Sequence, residues 1–492
     1  MGKWEARLLV LLALVLGLAL VLLLRTGGNG RAETPEMGRL LAGLETEEQD
    51  LTPEIRDRVN FVRAVTGVVN EAHPLVRFME NRHGFDWEET GRVLEAVARD
   101  PAVSDEEFLY RAEEYLSLLS DPLTRLSGDT LAGILMTLPV EVAWQDGRLV
   151  LRRYHEVLRR APDYVEMMEP GDRLVLVDGL DAVSLYGELL EGSLYARFPD
   201  RQQEFVRSFF PAYYDGRLRD KGVASSRLTF EKPGRVRYTV TLSWNDARGL
   251  LGPMGLVSGP GGGTLHAWRM EEEDIAVIRV SRLSGDNLAL LQSAMSRYRD
   301  AGALILDLRG ADPGPESREF VFSLLGYFTP EHRDLLQIRF RNSQYAQALG
   351  IGDPEVSAQY PPARVQTVRP GPFLLELPVV VLLDDNLLLP PDLLLYGLDF
   401  LGTGLIMGRT WPFAGTYGPM VVQTPYRNWS FQVATEALYD MQMNVLAGRR
   451  VEPDRVFEPS LEELKGSGDP VMDRAVKWLK EIVTSASGEE SA

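Results

Sequence analysis

The sequence predicts an α/β protein of several domains, and three observations indicate this class. Apolar residues recur at helical spacing up to about residue 130, which predicts a helical first part. Short apolar strands separated by turn residues follow up to about residue 250. Residues 264–482 then alternate near-continuous apolar strands with helices, which is the pattern of a largely parallel sheet.

Composition limits the possible functions. A chain of 492 residues is longer than one ordinary domain, and its net charge of -19 leaves no basic surplus to neutralise phosphates. We therefore expect no nucleic-acid partner. The absence of cysteine excludes disulfides, thiolate metal sites and a thiol nucleophile. No metal or other cofactor is expected.

The N-terminal segment Leu8–Leu24 is an uninterrupted apolar run of 17 residues, preceded by Lys3 and Arg7 and followed by Arg25. This length is at the short end for a helix that spans a bilayer. Because no small-x-small cleavage site follows, residues 1–30 are predicted to form an uncleaved signal anchor with a single pass. The bulk of the chain would then lie outside the cytoplasm, after a flexible stalk at residues 31–50. The alternative is a cleaved signal peptide and a secreted protein.

Residues 51–130 predict a small helical bundle. Thr52 is a cap residue and Pro53 suits the first turn of a helix. The helical pattern returns in Phe85–Ala98 and in Ser104–Leu119, which opens with a capping box. His73, which precedes a proline, is interpreted as a turn residue.

Residues 131–250 predict a β-rich module. Two strands, Leu138–Ala143 and Arg148–Tyr154, flank an Asp-Gly pair that is typical of a tight hairpin. Pro170, Gly171 and Asp172 form a turn before a further strand. Between later strands, Phe198–Tyr214 is expected to be an amphipathic helical insertion.

A glycine-rich linker, Gly252–Gly263, leads into the core. It lacks the lysine of a phosphate loop and a strand follows it, so phosphate binding is not expected. In the core, strands are predicted at Asp274–Val280, Ala303–Asp307, Leu335–Arg341 and Pro378–Asp384, with helices at Asn287–Arg299, Ser317–Tyr327 and Asp385–Tyr396. Sites in such sheets lie at the carboxyl ends of the strands. Residues 483–492 are predicted to be a disordered tail.

Several phrases, in one order along the chain, carry a family resemblance. They are Glu71-Ala-His-Pro74, Leu119-Ser-Asp-Pro-Leu-Thr124, Leu304-Ile-Leu-Asp-Leu-Arg-Gly310, Gly408-Arg-Thr-Trp-Pro-Phe-Ala-Gly415 and Val451-Glu-Pro-Asp454. Over about residues 55–482 the chain resembles the S41 peptidases, the C-terminal-processing or tail-specific proteases. The resemblance implies a ClpP/crotonase-like α/β core and a PDZ-like module in the β-rich middle.

The resemblance also implies a catalytic apparatus, and the matching positions lack it. The family attacks a peptide carbonyl with Ser, uses a neutral Lys as base with an assisting Gln, and binds the oxyanion with backbone N–H groups. The matching residues here are Leu389, Ala414 and Gly418, and no lysine lies between Lys232 and Lys465. The turn that matches the oxyanion site contains Gly310, Ala311 and Gly314 among prolines that cannot donate. An inactive member is therefore expected.

Two catalytic alternatives remain open. A serine peptidase could use other residues, with Ser317, Thr403, Thr410 or Thr416 as nucleophile and His266 or His332 as base. Asp384 and Asp385 could hold a divalent metal, although neighbouring residues on a strand point to opposite faces. Nothing in the sequence orders either set into a catalytic unit, so surface and turn roles are the simpler interpretation.

A PDZ-like module binds an extended chain end at a sheet edge. Weak candidate contacts are Leu138 and Val140, together with the Pro170–Asp172 turn, although Pro139 lacks an N–H for carboxylate capture. The sequence thus predicts a membrane-anchored, non-catalytic scaffold that binds peptides, unfolded protein segments or a partner envelope protease. The alternative is an active S41-type endopeptidase that cleaves protein C-terminal regions with non-standard catalytic residues.

Overall fold

The computed structural model of the chain describes residues 35–45, 50–121, 123–127, 130, 136–154, 167–198, 202–218, 222–246, 265–309, 311–313, 317–351, 355, 358–383, 391–408, 411–412, 415–457 and 469–489. Its helices are α1 Pro35–Ala42, α2 Pro53–Ala72, α3 Val76–His83, α4 Trp87–Ala98, α5 Asp105–Ser117, α6 Ala182–Glu191, α7 Gln202–Phe205, α8 Phe209–Tyr213, α9 Leu288–Tyr298, α10 Ser317–Leu325, α11 Gln344–Ala348, α12 Pro391–Leu401 and α13 Pro470–Glu489.

The strands are β1 Arg125–Leu126, β2 Met136–Thr137, β3 Val140–Gln145, β4 Arg148–Tyr154, β5 Arg173–Val177, β6 Leu180–Asp181, β7 Ser225–Glu231, β8 Arg237–Ser243, β9 Asn245–Asp246, β10 Leu265–Met270, β11 Ile275–Val280, β12 Arg282–Leu283, β13 Ala303–Asp307, β14 Asp312–Pro313, β15 Arg333–Phe340, β16 Arg364–Val368, β17 Val379–Leu382, β18 Leu405–Gly408, β19 Trp411–Pro412, β20 Thr416–Gln423, β21 Ser430–Tyr439, β22 Arg450–Val451 and β23 Arg455–Val456.

The helical segment begins as its sequence predicts. The Thr52 hydroxyl accepts a hydrogen bond from Ile55 N at 3.4 Å and caps α2. The Ser104 hydroxyl accepts one from Glu107 N at 3.2 Å and caps α5. Helices α2, α4 and α5 pack together, and their apolar faces share one hydrophobic core with the β-rich module and the outer part of β21.

The β-rich module is an antiparallel sheet in the order β3-β4-β5-β7-β8, with β6 beside β5. The predicted hairpin joins β3 to β4, and its central residues Asp146 and Gly147 have φ values of 49° and 72°. Positive φ at both positions is what a type I′ turn requires, so the hairpin prediction is confirmed.

The core sheet has the order β10-β11-β13-β17-β18-β23. All of its pairs are parallel except β10 with β11. Helices α9, α10 and α12 cover one face, whereas α13 covers the other through Ala475, Trp478 and Leu479. This two-faced cover explains why β13 and β17 are apolar without interruption.

The strand–helix–strand order of the sequence suggests that β15 belongs to this parallel sheet. The structure shows that it does not. It pairs antiparallel with β16 and β21 in a second sheet, ordered β1-β21-β15-β16, in which β20 also pairs with β21. Its burial alternates, with Leu336, Ile338 and Phe340 buried and the residues between them partly exposed. That alternation is typical of an antiparallel strand with one covered face.

Among the residues that the structure describes, no helix has the length and apolar character needed to cross a bilayer. The predicted anchor Leu8–Leu24 lies outside the described residues. Of the predicted flexible stalk, residues 35–45 and 50 are described, and Pro35–Ala42 form the helix α1 with Met37 and Leu41 buried. Membrane anchoring therefore stays a prediction.

Candidate active site

The carboxyl ends of three core strands meet at one edge of the parallel sheet. In the register of the sheet, Asp307 at the end of β13 is level with Leu382 of β17, which is level with Met407 of β18. Leu308 N donates to Leu382 O at 3.1 Å, and Leu383 N donates to Met407 O at 3.2 Å. The segments that follow these strands contain the positions that match the nucleophile, the base and the oxyanion turn of the S41 peptidases, and the strands that lead to these positions end side by side.

Several predicted site residues lie outside the described part of the chain. These are Leu389, Ala414, Gly310, Gly314, Thr410, Asp384 and Asp385. The described ends of their segments have the predicted secondary structure, since β17 ends at Leu382 and α12 begins at Pro391. Pro391 suits the first turn of a helix because its missing N–H would have no partner there.

Ala311, the described member of the oxyanion-like turn, is completely buried. Its N–H donates to the carbonyl of Leu308 at 3.0 Å. A backbone donor that already closes a turn is not free to stabilise an oxyanion, whose charge needs unpaired donors aimed at it. The next described residues, Asp312 and Pro313, pair with β12.

Arg309 fixes the start of this turn to the N-terminus of α13. Its guanidinium donates to both carboxylate oxygens of Asp307 at 2.8 Å and to those of Asp469 at 2.9 and 2.6 Å. Burial alone would lower the pKa of Arg309, but these charge-assisted bonds raise it. Asp469 in turn accepts from Met472 N at 3.1 Å, which caps α13. Arg309 thus holds the turn and the helix in one arrangement.

Gly418 occupies the position that matches the assisting Gln, and the side chains of Thr435 and Glu436 crowd the place where its Cβ would lie. Its φ is +62°, and a Cβ would lie 2.8 Å from Thr435 Oγ1 and 3.1 Å from Glu436 Cγ. The Thr435 hydroxyl also donates to Gly418 O at 2.6 Å. A Gln at this position would therefore require the Thr435 and Glu436 side chains to move and would adopt an unfavourable left-handed backbone.

A buried hydrogen-bond network joins the helical segment to β20. Asp121 Oδ2 accepts from His73 Nε2 at 2.9 Å and from the Thr124 hydroxyl at 2.6 Å. Asp121 Oδ1 accepts from the Thr416 hydroxyl at 2.6 Å and from Leu123 N at 3.0 Å. Burial would raise the pKa of Asp121, but the hydrogen bonds from His73, Thr124 and Thr416 outweigh it and hold that pKa below its usual value.

His73 has no ring nitrogen left for catalysis. Leu75 N donates to Nδ1 at 3.2 Å, so Nδ1 is an acceptor and Nε2 carries the hydrogen that is donated to Asp121. A general base needs a nitrogen that can reach a substrate or nucleophile. The interpretation of His73 as a structural residue therefore agrees with its geometry.

The other candidate hydroxyls and bases lie on separate elements. Ser317 is the first residue of α10, and Thr403 follows α12. His266 is exposed on β10, and His332 is exposed just before β15. Within the described residues, no group of three or more His, Asp or Glu side chains could hold a metal ion.

Sequence reasoning missed a charged pair beside the Gly418 position. Arg318 Nη2 forms an ion pair with Glu436 Oε2 at 3.0 Å, and the Arg318 guanidinium lies 5.4 Å from the centroid of the Tyr417 ring. The register of β20 and β21 places Tyr417 opposite Glu436. No local pattern could have found this ion pair, because Arg318 of α10 and Glu436 of β21 are far apart in sequence and meet only in the folded chain.

The weak peptide-binding candidates of the β-rich module have structural roles in this conformation. Leu138 and Val140 are buried. Asp172 is also buried and accepts from Glu169 N at 2.9 Å and from the Tyr238 hydroxyl, so it closes the turn. Gly171 N donates to Leu151 O at 2.7 Å, which attaches the turn to β4. Peptide binding by these residues stays a prediction.

The fold resembles that of solved proteases. Mature CPAF is 14% identical, with 88% of this chain and 99% of that chain covered, at a TM-score of 0.62. CPAF complexed with lactacystin is 13% identical, with 88% and 100% covered, at a TM-score of 0.62. The photosystem II D1 C-terminal processing protease is 14% identical, with 86% and 99% covered, at a TM-score of 0.43.

No protein-family model matches the chain, and no curated protein matches it. At 14% identity, the likeness to mature CPAF concerns the fold and does not extend to its chemistry. The match nevertheless covers 99% of that protein. The chain therefore has the S41-protease-like, mixed α/β fold that its motifs predict.

Proposed function

We propose that this chain is a non-catalytic S41-protease-like protein that binds peptides or unfolded protein segments. The observation that carries the proposal is the crowding at Gly418, where a side chain would collide with Thr435 Oγ1 at 2.8 Å. The position that holds an assisting Gln in the family is therefore closed by the Thr435 and Glu436 side chains and has a left-handed backbone that disfavours any side chain. This argument is independent of Leu389 and Ala414, which supply no nucleophile or base in the sequence.

The described residues retain a supporting framework around the positions that match the catalytic unit. The carboxyl edges of β13, β17 and β18 are aligned, and Arg309 joins the turn after β13 to α13. The His73–Asp121–Thr416 network fixes the start of β20. A fold that keeps its supports but lacks a nucleophile–base pair is better suited to holding a chain than to cutting it.

We further propose that Leu8–Leu24 anchors the chain in a membrane, with the remainder outside the cytoplasm. Support comes from the 17-residue length of the apolar run, which no polar residue interrupts, and from Lys3 and Arg7 before it. Its partners would be extracytoplasmic: unfolded segments of envelope proteins or an active partner protease. Carbonate extraction of membranes, with a variant that carries two Asp residues inside Leu8–Leu24 as control, tests the anchor.

The catalytic half of the proposal is tested on the full chain in detergent micelles. We expect no hydrolysis of an unfolded protein substrate and no labelling by a fluorophosphonate probe, because no activated hydroxyl is available. Saturable binding of unfolded peptides, measured by fluorescence anisotropy, is expected under the same conditions. Hydrolysis that disappears in Ser317→Ala or Thr403→Val would instead establish the non-standard peptidase, and the absence of all peptide binding would remove the scaffold role.

A further inference from the structure

Helices α2 and α4 form a groove on the surface of the helical segment. Arg63 of α2 donates to Glu95 of α4 at 3.0 Å, and seven residues further along α2, Asn70 donates to Glu88 at 3.0 Å. Because the partners on α4 occur in the reverse order, the two helices are antiparallel. At 1.5 Å per residue, the two polar contacts lie about 10 Å apart along the groove.

Two glycines form the floor of this groove. A Cβ on Gly91 would lie 2.7 Å from Thr66 Oγ1, so the missing side chain lets α4 approach α2 closely. A Cβ on Gly67 would lie 3.2 Å from Leu44 Cδ1, which places Leu44 at the edge of the floor. These residues, together with Val62 and the charged side chains, line a cavity of about 350 Å³. That volume is at the lower end of the range for small-molecule sites.

A buried hydrogen-bond acceptor lies at one end of the groove. Asn70 Oδ1 is buried and has no hydrogen-bond partner among the described residues. The bond from Asn70 Nδ2 to Glu88 fixes the amide orientation, since a swapped amide would place two acceptor oxygens together. A buried acceptor without a donor is unfavourable, so this end suits a ligand with N–H groups. The Glu88 carboxylate, 58% exposed, favours a positively charged donor such as an ammonium group.

A cation without a partner lies further along the same groove. Arg92 lines the cavity and is exposed, and no described residue forms an ion pair with it. The nearby Glu95 carboxylate is already engaged by Arg63 at 3.0 Å and by Arg99 at 2.7 Å. Burial would raise the pKa of Glu95, but the hydrogen bonds from these two arginines outweigh it and lower that pKa. Arg92 is therefore available to an anion from outside the chain.

The spacing of these groups indicates the length of the ligand. Glu88 and Arg92 are four residues apart on α4, which corresponds to about 6 Å along the helix axis. Two extended residues of a peptide span about 7 Å, so the terminal ammonium and carboxylate of a dipeptide have a similar separation. The cavity has room for such a molecule, and its glycine floor suits apolar side chains.

We propose that the groove between α2 and α4 binds a dipeptide-sized zwitterion with apolar side chains. Its ammonium group contacts Asn70 Oδ1 and Glu88, and its carboxylate contacts Arg92. Its side chains cover Gly67 and Gly91. This inference goes beyond the proposed function, because none of the residues that line the groove belongs to the candidate active site.

Isothermal titration calorimetry on the full chain in detergent micelles tests the ligand class. The probe is leucyl-leucine, and we expect saturable binding of one molecule per chain. N-acetyl-leucyl-leucine lacks the ammonium group and leucyl-leucine amide lacks the carboxylate, so each should bind at least about tenfold more weakly. No binding of leucyl-leucine, or equal binding of all three compounds, would overturn the proposal.

Replacing Arg92 tests the position of the carboxylate. Arg92→Gln should weaken leucyl-leucine binding at least about tenfold and leave the weak binding of the amide unchanged, because the amide has no charge to lose. Arg299→Gln, at an arginine whose side chain is 61% exposed, is the control and should bind like the wild type. Binding that Arg92→Gln does not change would place the dipeptide at another site and overturn the proposal.

Replacing Gly67 tests the floor of the groove. Gly67→Ala fills part of the floor and should weaken leucyl-leucine binding at least about fivefold, since the added methyl group occupies space that the ligand needs. Gly187→Ala, at a glycine of α6 with no atom within 4 Å of its Cβ position, is the matched control and should bind normally. Both glycines are helical, where Ala is favoured over Gly, so both variants should fold. Normal binding by Gly67→Ala would show that the ligand does not lie on this floor and would overturn the assignment.

Discussion

His73 Nε2 lies 2.9 Å from Asp121 Oδ2, and neither side chain is exposed to solvent. The pair joins the end of α2 to the loop before β1, and Asp121 extends it to Thr416 at the start of β20. A buried charge that accepts four hydrogen bonds is stable only while its partners remain. This pair therefore fastens the helical segment to the strand that enters the candidate active site.

Removing His73 should destabilise the protein strongly. His73→Ala leaves the Asp121 carboxylate buried without its N–H partner, which costs about 3–5 kcal/mol. The urea midpoint of unfolding should fall accordingly. His266→Ala, at an exposed histidine on β10, is the control and should change stability by less than about 0.5 kcal/mol. Equal midpoints for the two variants would contradict the structural role of His73.

Acid should weaken the same network. The pKa of Asp121 is below its usual value, so the unfolded state binds a proton more readily than the folded state. The stabilisation is present above the unfolded pKa of about 4 and is lost as the pH falls through the folded pKa. Unfolding midpoints of wild type and Asp121→Asn should therefore converge below about pH 4. A difference between them that is constant from pH 3 to pH 7 would disagree with this assignment.

A second glycine allows the effect of crowding at Gly418 on stability to be measured apart from the effect of its backbone conformation. Gly402 has nearly the same φ, +64° against +62°, but no atom lies within 4 Å of the position of its Cβ. Gly402→Ala should cost about 1–2 kcal/mol for the left-handed conformation alone. Gly418→Ala should cost a further 1–3 kcal/mol, roughly, because Thr435 must move. Thermal unfolding of the two variants measures the difference, and equal losses would mean that β21 yields freely.

Replacing Arg309 should destabilise the protein far more than replacing an exposed arginine that is also paired with an aspartate. Arg309→Leu leaves buried Asp307 with Arg279 alone, 3.9 Å away, and a loss of about 3 kcal/mol is expected. Arg299→Leu breaks a pair with Asp300 whose side chains are 61% and 83% exposed, so the loss should stay below about 1 kcal/mol. Urea titrations of both variants provide the comparison. A small effect at Arg309 would show that α13 is held by apolar contacts alone.

Local patterns predicted much of the fold. The caps at Thr52 and Ser104 and the hairpin at Asp146–Gly147 depend on neighbours within a few residues, so the sequence contains their causes. The apolar runs of β13 and β17 likewise reflect burial on both faces. Element types and their order were therefore predictable.

Long-range pairing was not predictable in the same way. His73 and Asp121 are 48 residues apart, and neither is marked by a local motif that names the other. The sheet to which β15 belongs is decided by its register with β21, about 100 residues later. Phe205 and Phe209 pack near the ring of Tyr186, about 20 residues earlier, and their own helical pattern does not reveal this partner. Such relationships arise only when the chain is folded.

The cover of the core sheet by α13 has a consequence for synthesis. One face of β13 and β17 is buried by Ala475 and Leu479, which lie about 170 and 100 residues after those strands. While a ribosome makes the intervening chain, that apolar face has no partner and is open to aggregation. The helical segment and the β-rich module share a core that includes residues of β21. That core is therefore also incomplete until β21 has been synthesised. We expect the nascent chain to need a holding chaperone until α13 has emerged.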